Sequence, residues 1–225
     1  MGNWHTHPRS EEPLQPQLEP FWAIDPKFCS LTQVTLFIKE KAWTSTEDYD
    51  IRDAYSEQIW FRCRGKVYSW YQRTKFIHDI TGKPLVKIKH HYRCCRPPSY
   101  LVYLGDSDKH LFGIRARFGW FSDRATLTIN LGNKQTSQRI TLTIEEAKKP
   151  ALDAMIFLGD SKRGVPVGKL QRNITGRNYF TGKDEYYLTA AANVDLWGVS
   201  VAGEGDRFLA TAVSLEVKVL PEWRE

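Results

Sequence analysis

His90, His91, Cys94 and Cys95 place four potential metal ligands or redox groups within six positions of FIHDITGKPLVKIKHHYRCCR, residues 76–96. Zinc holds such ligands at about 2.0–2.3 Å from one ion. Residues four apart on a strand stand about 13 Å apart, so His90 and Cys94 cannot share an ion while the strand continues. A loop beginning after Tyr92 relaxes that limit, but the Cys-x₂-Cys and His-x₃-His spacings are absent and no second cluster completes the ligand set. Pairing of the adjacent Cys94 and Cys95 would need strained geometry. The stretch therefore reads as structural, and neither a metal nor a cofactor is expected.

Ser107 in YLVYLGDSDKH is the second candidate, because an apolar strand ending in Gly-Asp-Ser resembles the nucleophile strand of GDS-type esterases. Those enzymes place their histidine near the C-terminus, whereas the last histidine here is His110, and LGDS recurs at 158–161 as a turn would. A serine with no base in reach stays unactivated. Glycine-rich phosphate loops and the zinc-protease helix pattern are also missing. Glu145 and Glu146 are consecutive and so face different ways. No catalytic residue is assigned, and the chain is expected not to be an enzyme.

Charge carries the remaining chemistry. Trp60, Arg62 and Arg64 alternate with Ile59, Phe61 and Cys63; Lys87, Lys89, His91 and Arg93 alternate with Val86, Ile88, His90 and Tyr92. With the apolar sets turned inward, Arg62, Arg64, Lys66, Lys87, Lys89, His91 and Arg93 share one outward basic face. Each such residue near an anionic membrane contributes about 1 kcal/mol. Outward side chains of this kind, Lys87 included, are expected to tolerate substitution with little cost in stability. At the start of the chain MGNWHT fits the myristoylation pattern with Gly2 as acceptor. One acyl chain gives only marginal membrane affinity, so Gly2 would need a second signal, which a basic face supplies.

The elements that must position these residues are strands. Alternating runs broken by turn residues predict strands at Val34–Lys39, Tyr49–Asp53, Ile59–Cys63, Lys66–Tyr71, Leu85–Tyr92, Tyr100–Leu104, Leu111–Arg117, Ala125–Leu131, Arg139–Ile144, Ala154–Leu158, Val167–Arg172, Tyr186–Ala190 and Leu196–Val201. That spacing suggests a sandwich or barrel. A weak repeat supports it: Ile51-Arg52-Asp53 leads to Ser56 and Ile59, Ile77-His78-Asp79 to Gly82 and Leu85, and Leu158-Gly159-Asp160 to Gly164 and Val167. Each is an apolar strand, an aspartate that can bond the turn backbone, and a second strand, which is hairpin chemistry. From Asp206 onward the pattern is evenly balanced. Val213, Leu215, Val217 and Val219 alternate like a strand, while Phe208–Leu215 is apolar nearly all round, with Asp206 able to cap it and Pro221 to stop it.

Composition bounds the rest. The 225 residues include 41% hydrophobic residues with 8 Trp, 10 Tyr and 11 Phe, enough to build a core from Trp22 onward. Residues 1–20 hold four of the eleven prolines and read as a flexible tail; residues 21–225 then form one domain. The net charge of +6 favours acidic partners without the dense clustering of a dedicated nucleic-acid binder. Trp60, Trp70, Tyr71 and Trp120 could stack bases, yet no RNA-binding signature accompanies them. No run approaches the ~18 apolar residues of a membrane span. Cys29, Cys63, Cys94 and Cys95 lack disulfide-framework spacing, which points to a reducing, cytoplasmic setting.

The hairpins in YDIRDAYSEQIWFRC and FIHDITGKPLVKIKHHY, an aromatic-rich strand after them, and the closing VAGEGDRFLATAVSLEVKV resemble the LURP-one-related proteins of the tubby C-terminal-like superfamily, to which phospholipid scramblases look distantly similar. The resemblance spans residues 21–220. It implies a mainly β fold, a closed antiparallel barrel of about a dozen strands around a buried C-terminal helix, and so favours a helix over residues 206–216. The chain departs from the pattern at Ser56, where a turn glycine is usual, and at Glu216 and Lys218, charged where the helix should be apolar. Tubby-like proteins bind phosphoinositides through cationic barrel residues. The resulting expectation is a non-enzymatic module that binds anionic lipid headgroups and attaches peripherally to a membrane. An intracellular scaffold with an acidic protein partner is the alternative, and nucleic-acid binding the third reading.

Overall fold

In the strand Pro84–His91, the inward Val86 and Ile88 alternate with the outward Lys87 and Lys89, and the strand Ser99–Leu104 beside it keeps the same rhythm, with Tyr100 and Val102 buried. A computed structural model of the chain describes residues 12–22, 24–40, 48–69, 72–91, 99–118, 125–132, 139–146, 153–159, 163–173 and 185–196. Twelve strands follow in order: β1 (Val34–Glu40), β2 (Tyr49–Asp53), β3 (Ile59–Ser69), β4 (Gln72–His78), β5 (Pro84–His91), β6 (Ser99–Leu104), β7 (His110–Phe118), β8 (Ala125–Gly132), β9 (Arg139–Glu146), β10 (Ala154–Leu158), β11 (Val165–Arg172) and β12 (Glu185–Ala190). Each pairs antiparallel with its sequence neighbours, and β1 pairs with β12, so the meander closes into a barrel. Closure leaves no strand edge open for pairing. The expected closed antiparallel barrel is the fold.

The interior is packed. Leu36, Ile38, Ile51, Phe61, Ile77, Val86, Val102, Ile129, Leu142, Ile156 and Leu188 are fully buried and form one continuous core. Fully burying each such side chain contributes about 1.5–3 kcal/mol. Lys75 faces this interior too, level with Ile88 and only 6% exposed, with its ammonium 5.5 Å from the centre of the Tyr49 ring. That inward lysine hides the alternation of β4, of which the sequence marks only the Ile77-His78 end as strand, through the hairpin repeat. The expected break between Ile59–Cys63 and Lys66–Tyr71 is likewise corrected. Gly65 makes no turn: it lies opposite Lys75 inside the continuous strand β3 and donates its N–H to the Asp48 carboxylate at 2.9 Å.

The turns carry the hairpin chemistry that the repeat indicated. Asp53 accepts from the backbone of Tyr55 and Ser56 at 3.0 and 2.7 Å. Asp79 accepts from the N–H groups of Thr81 and Lys83 at 2.9 and 3.0 Å and from the Thr81 hydroxyl at 2.6 Å. Gly82 adopts the left-handed conformation at φ +86° in the second turn, and in the first that conformation falls on Glu57 at φ +58°. The departure at Ser56 is thus offset by one residue.

The turn end of the barrel is covered by the segment before β1. Phe21 and Phe28 are buried, and Phe28 sits 5.1 Å from the ring of Phe61. Asp25 accepts from Lys27 N–H at 3.0 Å and so caps the short 3-10 turn Pro26–Phe28. Cys29 pairs by a β-bridge with the buried Asp195. Residues 15–20, assigned to the tail by composition, run along this end. Gln15 N–H donates to the Pro166 carbonyl at 2.8 Å, Gln17 N–H donates to that of Ala192 at 3.1 Å, and the Asn193 side chain donates to the Gln17 carbonyl at 2.8 Å. The helix expected over 206–216, residues 197–201 of the strand expected at Leu196–Val201, Glu216 and Lys218 lie outside the described residues.

Candidate functional site

The outer wall of β2–β6 brings together most of the basic residues singled out by alternation. Arg62 on β3 lies opposite His78 on β4 and Asp50 on β2; Arg64 lies opposite Phe76, which in turn faces Lys87 on β5; Lys89 lies opposite Thr74. Lys66 and His91 hold backbone positions opposite Thr74 and Ser99. Arg93 and Gly2 lie outside the described residues, as do Cys94 and Cys95.

The wall is not a bare sheet of positive charge. Arg64 Nη1 approaches Asp50 Oδ1 at 3.5 Å and donates to the Cys63 carbonyl at 3.0 Å, with Asp48 3.9 Å from its Nε. Arg52 reaches the other Asp50 oxygen at 3.6 Å. Asp50 is a strand residue and only 8% exposed, so the β2–β3 charges are locked into the sheet. Among the described residues no carboxylate lies within ion-pair distance of Arg62.

On β5 the counter-charges come from a turn. Lys87 Nζ donates to the Asp106 carbonyl and to Asp108 Oδ1, both at 3.2 Å, while Lys89 Nζ stands 3.7 Å from that same Asp108 oxygen. Both ammonium groups also lie over the ring of Tyr103 on β6, at 5.6 and 5.2 Å from its centre, and His110 meets the ring edge-on. A cation over an aromatic face gains about 0.5–2 kcal/mol, the more so when desolvated. The Lys87 side chain is 9% exposed. It points outward as expected, but its aliphatic stem lies under neighbouring side chains and its charge is paired, so the expectation that it tolerates any substitution is corrected. Asp108, held by the Lys87 hydrogen bond and then by the charges of both lysines, has its carboxyl below the usual range.

Sequence reasoning missed the aspartates and Tyr103. Asp108 lies 21 residues from Lys87 and Asp50 14 from Arg64, and only the strand order joins them. It also passed over a pair of polar atoms beside Arg62. The Nε1 of Trp60, next to Arg62 in β3, and the Nδ1 of His78, opposite Arg62, are buried with no hydrogen-bond partner among the described residues.

The other candidates resolve into structure. His90 stacks on Tyr100 at 5.0 Å. The Ser107 hydroxyl donates to the Leu104 carbonyl and accepts from Lys109 N–H, closing the β6–β7 turn. Burial, and then the nearby Asp195, push the Cys29 thiol up to about 12, so it stays protonated at neutral pH.

The LURP-one-related family matches residues 34–198, from the first strand of the barrel to just past the last. The chain belongs to the LURP-one-related family. The closed antiparallel barrel of this chain is consistent with the link to the tubby C-terminal-like superfamily. No curated protein and no solved structure shows significant similarity to the chain. For this LURP-one-related barrel the ligand must therefore be argued from its own residues.

Proposed function

We propose that this LURP-one-related barrel is a non-enzymatic module that binds anionic lipid headgroups, phosphoinositides foremost, through the outer wall of β3–β5. The observation that carries the reading is the arrangement of Arg62, Arg64, Lys87 and Lys89 on one outer surface of three consecutive strands. Flat cationic surfaces suit headgroups at a membrane plane, where each engaged Lys or Arg contributes about 1 kcal/mol and the attraction fades within a Debye length. Acylation of Gly2 would add the second weak anchor that stable attachment needs.

The test is sedimentation of the full chain with phosphatidylcholine vesicles, alone or containing phosphatidylinositol bisphosphate. Binding should require the anionic lipid and should weaken as the Debye length shortens from ~30 Å at low salt to ~8 Å at physiological ionic strength. A folded Arg62→Glu/Lys89→Glu variant should lose it. Indifference of the wild type to anionic vesicles at low salt would end the lipid reading.

A second reading, a scaffold that binds another protein, draws on the loops. Leu18, Leu31, Tyr55 and Ile80 are large apolar side chains left exposed outside the strands. Exposed apolar side chains of this size can serve protein-interaction surfaces. Loss of an interaction in Tyr55→Ser/Ile80→Ser, with vesicle binding unchanged, would support it.

A further inference from the structure

One carboxylate oxygen of Asp108 is shared by two ammonium groups above a single aromatic ring. The two cations and the anion are held very differently. Lys87 is nine-tenths buried in the wall, and its neighbour Lys89 rises from the same strand. Asp108 belongs to the turn between β6 and β7, with its side chain 86% exposed, and among the described residues its carboxylate contacts only those two lysines. The positive site is preformed, and what fills it is an exposed, hydrated group, with the exposed Asp106 carboxylate farther off at 4.0 Å from Lys87 Nζ.

We propose that Asp108 is a built-in competitor for phosphate: its carboxylate occupies a phosphomonoester subsite formed by Lys87, Lys89 and the face of Tyr103, and yields to a ligand of higher charge. The inference rests on the anionic-ligand reading above and names the subsite and its selectivity. A phosphomonoester carries about −1.5 to −2 charge on three oxygens. It can give each ammonium its own oxygen, where Asp108 offers one oxygen to both. Displaced Asp108 moves into water that already surrounds it, so its release carries little desolvation cost. A phosphodiester or carboxylate headgroup brings a single charge and has no such advantage. Asp108 thereby acts as a filter for charge density, favouring phosphorylated inositol over phosphatidylserine.

The experiment compares wild type, Asp108→Asn, Lys89→Gln and the double variant, each checked by thermal melting. One arm measures soluble inositol trisphosphate by calorimetry. The other uses phosphatidylcholine vesicles containing either phosphatidylserine or phosphatidylinositol bisphosphate. Freeing one lysine is worth about 1 kcal/mol near anionic charge, which is about fivefold in affinity. Asp108→Asn should therefore tighten inositol trisphosphate binding about fivefold or more and raise phosphatidylserine binding most of all. The gain should shrink when Lys89→Gln is also present. Unchanged or weaker binding by Asp108→Asn on both arms overturns the proposal, as does an equal gain with and without Lys89. Absence of binding to either probe by wild type and by Asp108→Asn overturns it as well. A gain with the soluble headgroup, while vesicles are ignored by every variant, keeps the competitor role and removes the membrane.

Discussion

On the β3 half of the basic wall, Arg64 is neutralised by Asp48 and by Asp50, a buried strand residue that also holds Arg52. On the β5 half, Lys87 and Lys89 are neutralised by Asp108, an exposed residue of a turn. The chemistry is the same in both halves, and the anchoring of the anion differs. A carboxylate built into the sheet belongs to the fold, whereas one on a turn can be exchanged for a ligand without disturbing any strand. Counting positive residues along the sequence cannot separate these cases. The location of the counter-charge can.

The largest effect should come from reversing the buried member of the β5 half. Lys87→Glu sets a carboxylate beside Asp106 and Asp108 at a position with almost no access to water. Uncompensated burial of this kind costs about 3–5 kcal/mol. Insoluble protein, or a melting transition lowered by many degrees, is the expected result, whereas Lys89→Glu should melt close to wild type because its side chain is 44% exposed. Equal stability of the two variants would erase the distinction between them.

Removal of the anions tests the comparison from the other side. Asp50→Ala strips a partly buried carboxylate from two arginines and should cost about 1–3 kcal/mol in denaturant unfolding. Asp108→Ala should stay within about 0.5 kcal/mol, as exposed substitutions usually do. A large loss at Asp108 would make the turn structural and leave nothing displaceable.

The hairpins that lead into the two halves differ in a smaller way. Both turn on an aspartate, but the left-handed position is Gly82 before β5 and Glu57 before β3. A non-glycine residue in that conformation carries roughly 1–2 kcal/mol of steric cost, partly returned by the greater freedom of glycine in the unfolded chain. Glu57→Gly should raise stability by up to about 1 kcal/mol, while Gly82→Ala should lower it. A fall in stability on Glu57→Gly would show that its side chain makes a contact outweighing the strain.

Much of this was legible in the residues, for a definable reason. Alternation reports which face a side chain takes, so most strands and the outward Arg62, Arg64, Lys87 and Lys89 could be read directly, whereas closure into a barrel was implied only by the family resemblance. It fails where an inward residue is charged, as at Lys75, so of β4 only the Ile77-His78 end was read, and that through the hairpin repeat. Composition is silent on where the segment before β1 runs: Gln15 and Gln17, counted with the proline-rich tail, donate to barrel carbonyls, while Phe21 and Phe28, counted with the domain, cover its end. At the site, alternation found the cations and could not find their partners, because ion pairs 14 and 21 residues apart depend on strand order and turn shape.

The smallest predicted effect is also the most local reading of the comparison. Asp53, Asp79 and Asp108 all titrate below the ordinary aspartate value of 3.8. A carboxyl with a lowered folded pKa contributes stability that is complete above the unfolded value and is lost as pH falls through the folded one. Acid should therefore loosen all three turns progressively as pH falls through the ordinary aspartate value and on toward the lowered folded one. The causes differ, however. Asp53 is held down first by the Ser56 N–H and Asp79 first by the Thr81 hydroxyl, both within their own turns. Asp108 is held down first by the Lys87 hydrogen bond and then by the two lysine charges, across the sheet. Titration of the carboxyl carbons by NMR in Lys87→Met, which keeps the buried volume without the charge, should move the Asp108 midpoint up toward 3.8. Asp53 and Asp79 should stay where they are. Lys89→Gln should produce a smaller shift in the same direction. An Asp108 midpoint that ignores both substitutions would mean that the turn, and not the wall, holds its charge, and the exchangeable half of the wall would then be no different from the fixed one.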